Sequence, residues 1–180
     1  MGIRGGEEMS YTDKANSPKG HKLKVMIVLG GGGHTAQMIK LVELLGERYE
    51  YIYVVSYNDK LSISKIKREG RICYLSKPRI YGESWLITLL RSLASSIQAF
   101  FIVATTRPDT IISTGPGIAI PLIIAGKIFK SKIIFIEDWS RIRTASLSGR
   151  IAYFFADLFF IQWPELKRIY PKGIYAGRLA

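Results

Sequence analysis

The segment 24–45, KVMIVLGGGGHTAQMIKLVELL, is the feature that most constrains how this chain can fold. Residues 25–29 form a short continuous apolar run, which is typical of a parallel strand covered on both faces. Four glycines end that run. From Thr35 onward the apolar residues recur at helical spacing, so one stripe of a helix can pack back onto the strand. These apolar residues are Met38, Leu41, Val42 and Leu45. The segment predicts a strand, a glycine turn and a helix of an α/β sheet.

The glycine turn predicts an anion site. The first backbone N–H groups of a helix have no partner within the helix, and glycines without a Cβ atom let a phosphate approach them closely while the helix dipole favours its charge. The dipole also holds His34 neutral at that end, where the imidazole can donate to a phosphoryl oxygen. The alternative is a tight turn without a ligand, in which His34 only completes the turn.

The rest of the chain alternates strands and helices. Strands are predicted at 51–55, 71–75, 109–113, 132–136 and 158–162, and helices at 85–103, 118–129 and 146–156, with a short helix starting at Trp163. This order predicts a doubly wound, parallel, Rossmann-like sheet. Because ligands bind outside the carboxyl ends of such strands, Glu137 and the second glycine turn, TGPG at 114–117, are expected to share one crevice with the first glycine turn.

Composition limits the ligand classes. The net charge is +12 with a pI near 9.9, yet 48% of the residues are hydrophobic and the mean hydropathy is +0.13. This combination of positive charge and high hydropathy favours a protein that binds an anionic membrane surface or a polyphosphate ligand. No nucleic acid is expected as a partner, because no basic strand is interleaved with aromatic residues. The second strand ends in Ser56 and Tyr57 and not in the acidic residue that would bind the cofactor ribose. This weakens the prediction of a nicotinamide cofactor. No cofactor and no metal are expected, and the lone Cys73 fits a reducing compartment.

The 180 residues suit one domain. Residues 1–22 are predicted to be a disordered polar tail without a signal peptide or membrane anchor, and residues 23–180 a single domain. The helix from Trp85 is apolar on more than one face, so part of it stays exposed unless lipid or a partner covers it; a buried core helix is the alternative. The apolar run 111–129 is not predicted to span a membrane, because glycines and prolines interrupt it. The basic run 60–71 is interpreted as a solvated face.

Several stretches together carry a resemblance to a known family. They are GGGGHTAQM, YGESW, TGPG, IED followed by Arg141, SLSGR and FIQWPELKRIYPKGIYAGR. In this order, from residue 25 to 178, they resemble the acceptor-side subunit of the two-chain UDP-N-acetylglucosamine transferase of lipid-linked oligosaccharide synthesis, the asparagine-linked glycosylation protein fourteen family. That family is similar to the N-terminal half of GT-B glycosyltransferases, so the resemblance implies the same doubly wound fold.

The resemblance implies one subunit of a glycosyltransferase that is inactive alone. A separate sugar-nucleotide-binding catalytic subunit completes it, and N-acetylglucosamine passes from UDP-GlcNAc to a polyprenyl- or dolichyl-diphosphate-linked GlcNAc acceptor. Eukaryotic members carry an N-terminal membrane helix, whereas this chain has a polar tail, so we expect peripheral attachment to an anionic membrane surface on its cytoplasmic face. The alternatives are an exopolysaccharide transferase subunit that uses another sugar, and a non-catalytic membrane scaffold.

The resemblance also implies roles for individual residues. Those expected to hold the acceptor diphosphate are Gly31, Gly32, Gly33, His34, Thr35, Gly115 and Gly117. Those expected to be catalytic are Glu137 and His34, with Glu137 orienting or deprotonating the acceptor hydroxyl. The alternative for Glu137 is an ion pair with Arg141 or Arg143. Those expected at the partner interface are Trp163, Pro164, Tyr170, Gly177 and Arg178.

Overall fold

The computed structural model of the chain describes residues 22–78, 82 and 84–179. Its strands are β1 (Lys24–Val28), β2 (Glu50–Ser56), β3 (Gly70–Leu75), β4 (Thr110–Ser113), β5 (Lys132–Ile136), β6 (Leu158–Ile161) and β7 (Ile174–Tyr175). Its α-helices are α1 (Gly32–Leu45), α2 (Lys60–Ser64), α3 (Trp85–Thr106), α4 (Ala119–Ile128) and α5 (Leu147–Phe155), and a 3₁₀ helix spans Pro164–Arg168. The tail predicted for residues 1–22 lies outside the described residues except for Lys22.

The strands form one sheet in the order β3-β2-β1-β4-β5-β6-β7, and every neighbouring pair is parallel. The predicted doubly wound parallel sheet is therefore confirmed. The strand order reverses between β1 and β4, where Val28 pairs with Ser113. Connections leave this point in opposite directions and open a crevice at the carboxyl ends of the two strands. The sequence analysis missed β7, and the predicted short helix after Trp163 is a 3₁₀ helix.

The two faces of the sheet bury separate cores, as alternation along a strand requires. In β1, Met26 and Val28 pack in the core beneath α3, α4 and α5, whereas Val25 and Ile27 pack in the core beneath α1. All four side chains are buried. Burial on both faces explains why β1 is a continuous apolar run.

Helix α1 begins at Gly32 and not near Thr35, so two glycines lie inside its first turn. Gly31 is the residue before the helix, with a φ of 78°, and Gly32 has a φ of 52°. Both angles lie in the left-handed region that a side chain disfavours, which explains why the chain uses glycine here. The strand therefore turns into the helix within three residues, and the helix N-terminus is held at the tip of β1.

Helix α3 turns its small residues toward the protein and its large apolar residues outward. The buried stripe consists of Ser95, Ala99, Val103 and Thr106, at helical spacing. The exposed large side chains are Trp85, Leu86, Ile87, Leu89, Leu90, Leu93, Ile97, Phe100 and Phe101, of which Trp85 is 78% exposed. By length and composition, with a mean hydropathy of 1.7, α3 could cross a membrane. It lies against α4 and β3, so the predicted exposed apolar helix face is confirmed.

Candidate functional site

A cavity of about 370 Å³ lies at the carboxyl ends of the strands, beside the point where the strand order reverses. It is lined by His34 of α1, by Gly115 and Gly117 after β4, and by Asp138 and Arg141 after β5. Thr88 and Ser92 of α3 and Ser148 of α5 close its other sides. The cavity thus joins His34, which follows the first glycine turn, to the second glycine turn and the end of β5, whereas the glycines at 31–33 are not among its lining residues.

Three backbone donors at the start of α1 precede its first internal hydrogen bond. The first such bond runs from the Thr35 N–H to the Gly31 carbonyl at 3.4 Å, so the N–H groups of Gly32, Gly33 and His34 have no helical acceptor. The Gly31 N–H is already used, because it donates to the Thr35 hydroxyl oxygen at 3.0 Å. The three N–H groups of residues 32–34 are therefore available to an external acceptor, at the positive end of the helix dipole.

Thr35 does not present its hydroxyl to the crevice. Its side chain is 1% exposed, and its hydroxyl lies 2.7 Å from that of Ser62 in α2. Asp59 in turn accepts hydrogen bonds from the Ser62 N–H and hydroxyl. Thr35, which the resemblance places among the diphosphate-binding residues, therefore uses its hydroxyl to link the glycine turn to α2.

His34 is oriented at both ring nitrogens. Its Nε2 atom lies 3.5 Å from Oδ2 of Asp138, and its Nδ1 atom lies 3.2 Å from the hydroxyl of Thr114. An ionised carboxylate can only accept hydrogen bonds, so these contacts assign the proton to Nε2 and leave a lone pair on Nδ1. The His34 side chain is 27% exposed, which keeps the imidazole within reach of the crevice. A histidine held in one tautomer beside anion donors can bind an oxyanion or accept a proton.

Glu137 follows β5 as predicted, but its side chain is 0% exposed. Within the described residues, its carboxylate accepts from the Tyr170 hydroxyl at 2.6 Å and from the N–H groups of Ser146 and Asp138, and not from Arg141 or Arg143. The structure therefore does not present the Glu137 carboxylate to the crevice. It ties the end of β5 to the start of α5 and acts on the site through position.

Tyr170, expected at the partner interface, is 1% exposed, so it is not a surface contact. Burial raises the pKa of the Tyr170 hydroxyl, and the neighbouring Glu137 carboxylate raises it further. The hydroxyl thus stays protonated and remains a donor to Glu137. Gly149 of α5 covers this pair so closely that a Cβ atom there would lie 2.1 Å from Oε2 of Glu137.

The two glycines of the second turn, Gly115 and Gly117, have different surroundings. Gly115 is buried with a φ of 92°, and a Cβ atom there would lie 2.7 Å from the Phe135 ring. Its N–H donates to the hydroxyl of Ser113, and its carbonyl accepts from the hydroxyl of Ser148. Gly117 is exposed and faces open space up to Pro78. Both glycines line the cavity, but Gly117 has open space beside it, whereas Gly115 is packed against Phe135.

The other residues expected at the partner interface cluster at the β6–β7 edge. The guanidinium of Arg178 lies 4.7 Å from the centroid of the Trp163 ring, a cation–π contact. Pro164 and Gly177, the sequence neighbours of Trp163 and Arg178, are also exposed. Gly177 and Arg178 also line an apolar groove of about 380 Å³ between α1 and strands β4 to β6. Its walls are Leu41, Leu44, Leu45, Ile112, Ile134, Ile136 and Phe160.

Three polar residues of the site were not predicted from the sequence. Asp138 directly follows Glu137, and successive residues at a strand end point in opposite directions, so a resemblance at Glu137 does not indicate which of the two side chains faces the crevice. Gln37 lies three residues after His34, so helical spacing places both on one face of α1, which is the signal that could have found it. Arg141 was considered only as an ion-pair partner, although its side chain lines the crevice.

Comparisons with known proteins point to one family. A family model described as oligosaccharide biosynthesis protein Alg14 like matches residues 25–179. UDP-N-acetylglucosamine transferase subunit ALG14 of Rattus norvegicus is 32% identical over 179 residues, covering 87% of this chain and 83% of the relative. The Homo sapiens subunit of the same name is 30% identical over the same shares. The Schizosaccharomyces pombe subunit is 30% identical over 93% of this chain and 88% of the relative.

Solved structures of low sequence identity share the fold. MurG of Acinetobacter baumannii matches with a TM-score of 0.66 and 14% identity, over 79% of this chain and 42% of that structure. UDP-N-acetylglucosamine 2-epimerase of Rickettsia bellii matches with a TM-score of 0.65 and 14% identity, over 88% of this chain and 46% of that structure. The chain therefore spans less than half of either structure and corresponds to a doubly wound half of a GT-B-type architecture.

Proposed function

The chain belongs to the Alg14-like family of oligosaccharide biosynthesis proteins, and on this basis we propose that it is the acceptor-binding subunit of a UDP-GlcNAc-dependent glycosyltransferase. The acceptor is a polyprenyl-diphosphate-linked GlcNAc, and a separate subunit binds the sugar nucleotide. The relatives' names support this assignment, because each is a UDP-N-acetylglucosamine transferase subunit. The chain alone is expected to show no transferase activity.

One observation carries the proposal: a single cavity joins His34, at the N-terminus of α1, to the apolar helix α3. His34 and Gly117 lie at one side of this cavity and Thr88 and Ser92 of α3 at the other. A lipid diphosphate has the same two parts, an anionic head and an apolar chain. The free N–H groups of residues 32–34 and the Arg141 guanidinium suit the diphosphate. The outward apolar face of α3 suits the polyprenyl chain.

The crevice also favours an anion through the orientation of its helices. The N-termini of α1, α4 and α5 all lie at the carboxyl edge of the sheet, as in any doubly wound fold, and each carries a partial positive charge. Asp138 is the acidic residue that lines the cavity, and its Oδ2 faces the His34 ring. The local field is therefore positive where the diphosphate would bind and negative only behind the imidazole.

His34 is the residue proposed to receive the proton of the acceptor hydroxyl. In glycosyl transfer the hydroxyl oxygen bonds to C1 of the donor sugar, the bond from C1 to the UDP oxygen breaks, and the hydroxyl proton must pass to a base. The Nδ1 lone pair of His34 can accept it once the Thr114 hydroxyl turns to the His34 carbonyl oxygen, which lies 3.4 Å away. Asp138 stabilises the imidazolium that results. Glu137 holds the scaffold beneath this pair.

The partner subunit is proposed to dock on the β6–β7 edge and the adjoining apolar groove. Helix α1 covers only part of its face of the sheet, so Ile134 and Phe160 are left half-buried at the groove. Trp163 and Arg178 stand at its edge, and Trp and Arg are frequent energetic anchors of interfaces. This surface is distinct from the crevice that holds His34.

Membrane attachment is proposed to be peripheral, on the cytoplasmic face, through α3. The hydroxyl of Ser95 donates to the Ser76 carbonyl at 2.9 Å, and the Ser76 N–H donates to Gln98 at 3.0 Å, so α3 is tied to the end of β3. The bonds hold α3 flat against the sheet with Leu89, Leu90 and Leu93 outward. The net charge of +12 adds attraction to anionic lipid.

The decisive experiment changes Gly33 in the reconstituted pair of subunits. A Gly32→Val replacement would strain a residue with a φ of 52°, so a loss of activity would be ambiguous. Gly33 has no such constraint, and a Cβ atom there would lie at ordinary contact distance, 3.5 Å from Nε1 of Trp139. Replacing glycine by alanine inside a helix stabilises it by up to about 1 kcal/mol. We expect Gly33→Ala to keep or raise stability while the KM for the lipid acceptor rises about tenfold or more.

Partner pull-down and thermal unfolding of the same variant serve as controls and should be unchanged or improved. An unaltered acceptor KM in a stable Gly33→Ala protein would show that the glycine turn is only a turn. A raised KM for UDP-GlcNAc with an unaltered acceptor KM would place the donor, and not the acceptor, in this crevice.

A further inference from the structure

We propose that Gln37 and Gln162 are positioning residues that tie the tautomer and orientation of His34 to the segment 176–179 at the edge of the apolar groove. The two glutamines form a continuous hydrogen-bonded relay between the two proposed binding surfaces. The inference deepens the proposed function, because it takes one end of the relay as the acceptor crevice and the other as the docking edge. The relay itself is defined by contacts that do not depend on either ligand.

The relay starts at a backbone group of the C-terminal segment. The Leu179 N–H donates to Oε1 of Gln162 at 2.7 Å. Nε2 of Gln162 donates to Oε1 of Gln37 at 2.5 Å and to the Glu137 carbonyl at 2.9 Å. Nε2 of Gln37 then donates to Oδ1 of Asp138 at 3.4 Å, and Oδ2 of Asp138 faces Nε2 of His34 at 3.5 Å. Four side chains thus connect the docking edge to the crevice.

The direction of every bond in this relay is fixed by backbone groups that can only donate or only accept: the Leu179 N–H donates to Gln162, and the carbonyls of Glu137 and Gly33 accept from Nε2 of Gln162 and of Gln37. A backbone N–H cannot accept, so the atom of Gln162 that faces Leu179 must be its oxygen. The Gln162 nitrogen then faces Gln37, which must turn its own oxygen toward it and its nitrogen toward Asp138. Leu179 is the member of this set at the groove, and removing its N–H leaves Oε1 of the buried Gln162 amide without that donor, which weakens the single arrangement of the relay. The orientation of the Asp138 carboxylate, and through it of His34, therefore depends in part on a residue at the groove.

Burial makes the relay stiff. Gln162 is 2% exposed and Gln37 is 3% exposed, so water does not offer either amide an alternative partner. An unpaired amide at such a depth is costly, which favours one fully bonded arrangement over a set of partly bonded ones. Gln37 also donates to the carbonyl of Gly33 at 3.3 Å, so the same amide holds the glycine turn. A shift of the segment 176–179 would thus reach both the imidazole and the anion donors.

The functional consequence is that docking of the partner orders the acceptor site. The segment 176–178 is exposed, whereas Leu179 is half-buried against the core under α1. A partner that seats on the groove presses this segment onto the sheet and holds the Leu179 N–H against Gln162. The base then holds its Nε2–H tautomer at higher occupancy in the assembled transferase than in the chain alone.

The test observes His34 directly by NMR in the full-length chain, with and without the partner subunit. The chain has two histidines, His21 and His34, so His21→Gln leaves a single imidazole, and long-range ¹H–¹⁵N spectra report its tautomer. We expect the Nε2–H form in the parent protein, at higher occupancy with the partner. Gln162→Met and Gln37→Met should each produce a mixture of tautomers and remove the effect of the partner.

Two further variants isolate the relay from general damage to the fold. Leu179→Pro removes the N–H while leaving an apolar residue, and it should reproduce the spectrum of Gln162→Met; Leu179→Ala retains the N–H and should resemble the parent. Gln98→Met is the matched control, because Gln98 is the chain's third glutamine and bonds to Ser76 and Tyr57 outside the relay. In the pair, Gln37→Met should lower kcat about tenfold with little change in the donor KM.

The spectra separate this inference from the proposed function. An unchanged His34 tautomer in folded Leu179→Pro and Gln162→Met would overturn the relay, whatever the activity. A shifted tautomer in both, with Gln98→Met unchanged, supports the relay even if the crevice proves to bind a different anion. A kcat loss in Gln37→Met without any change in the His34 tautomer would reduce the two glutamines of the relay to ordinary structural residues and overturn their positioning role.

Discussion

The hydroxyl of Tyr170 lies 2.6 Å from Oε2 of Glu137, and both side chains are closed off from solvent beneath Gly149. This contact joins the segment after the 3₁₀ helix to the end of β5, directly below the crevice. A buried carboxylate is stable only when its oxygens are paired, and Tyr170 provides its side-chain donor. The pair therefore supports the position of Asp138 and, through it, of His34.

Tyr170→Phe should destabilise the protein with little direct effect on partner binding. The change leaves a buried carboxylate oxygen without its hydroxyl donor, which costs about 2–3 kcal/mol. Urea unfolding measures the loss. The control is Tyr175→Phe, because Tyr175 is 46% exposed and its change should cost less than about 0.5 kcal/mol. Equal stability of the two variants would show that the Glu137 carboxylate is satisfied without Tyr170.

Gly149→Ala should be more damaging than glycine-to-alanine changes elsewhere in a helix. The added methyl group would lie 2.1 Å from Oε2 of Glu137 and 2.6 Å from the Tyr170 hydroxyl, so the pair would have to separate. Gly33→Ala, also in the first turn of a helix but in open surroundings, is the matched control. We expect the midpoint of thermal unfolding to fall in Gly149→Ala and to hold or rise in Gly33→Ala. A stable Gly149→Ala protein would mean that α5 can shift without cost.

The sheet was predictable because each strand is an apolar run that glycine, proline or charge ends, and because β1 needs apolar residues on both faces. Strand β7 was not predictable, because it has only two residues, Ile174 and Tyr175, and they form a strand by pairing with β6. The crevice could be located from the two glycine turns. The burial of Glu137 could not, since it depends on Gly149 and Tyr170 packing against it from distant parts of the chain.

His34→Ala and Asp138→Asn separate a catalytic subunit from a scaffold. If His34 accepts the proton, kcat of the assembled pair should fall about 10²-fold or more in His34→Ala, a typical loss for a general base. Because His34 is also proposed to contact the acceptor diphosphate, the loss of its side chain should raise the acceptor KM about tenfold. Asp138→Asn should lower kcat by a comparable factor although the imidazole remains, since an asparagine amide can donate to Nε2 and favours the Nδ1–H tautomer, which has no lone pair for the acceptor proton. Unchanged turnover in His34→Ala, with the partner still bound, would favour a non-catalytic membrane scaffold.

Acid should remove the contribution of Asp157 to stability. Burial alone would raise the pKa of Asp157, but the hydrogen bonds from the Ile133 N–H and from Lys127 lower it below its ordinary value of 3.8. A lowered folded-state pKa stabilises the protein above the unfolded pKa, and this stabilisation is lost as the pH falls through the folded value. Asp157→Asn should cost about 0.5–1 kcal/mol at pH 7, since the pair is partly exposed, and progressively less below about pH 3.8. A cost that does not vary between pH 7 and 3 would assign the effect to shape and not to charge.

The outward face of α3 should decide membrane attachment. Leu90 and Leu93 are 60% and 59% exposed and point away from the sheet, so replacing both by glutamine removes apolar surface without opening the core. Each leucine that no longer enters the lipid costs about 1.5–3 kcal/mol of transfer free energy, so binding to vesicles of anionic lipid should fall at least about tenfold. Leu61→Gln on α2 is the control, because Leu61 is 65% exposed but lies on a different element.

High salt or an alkaline wash should strip the unchanged protein from the vesicles, as expected for a peripheral contact. Retention of the Leu90→Gln, Leu93→Gln protein after both washes would place the anchor elsewhere in the chain.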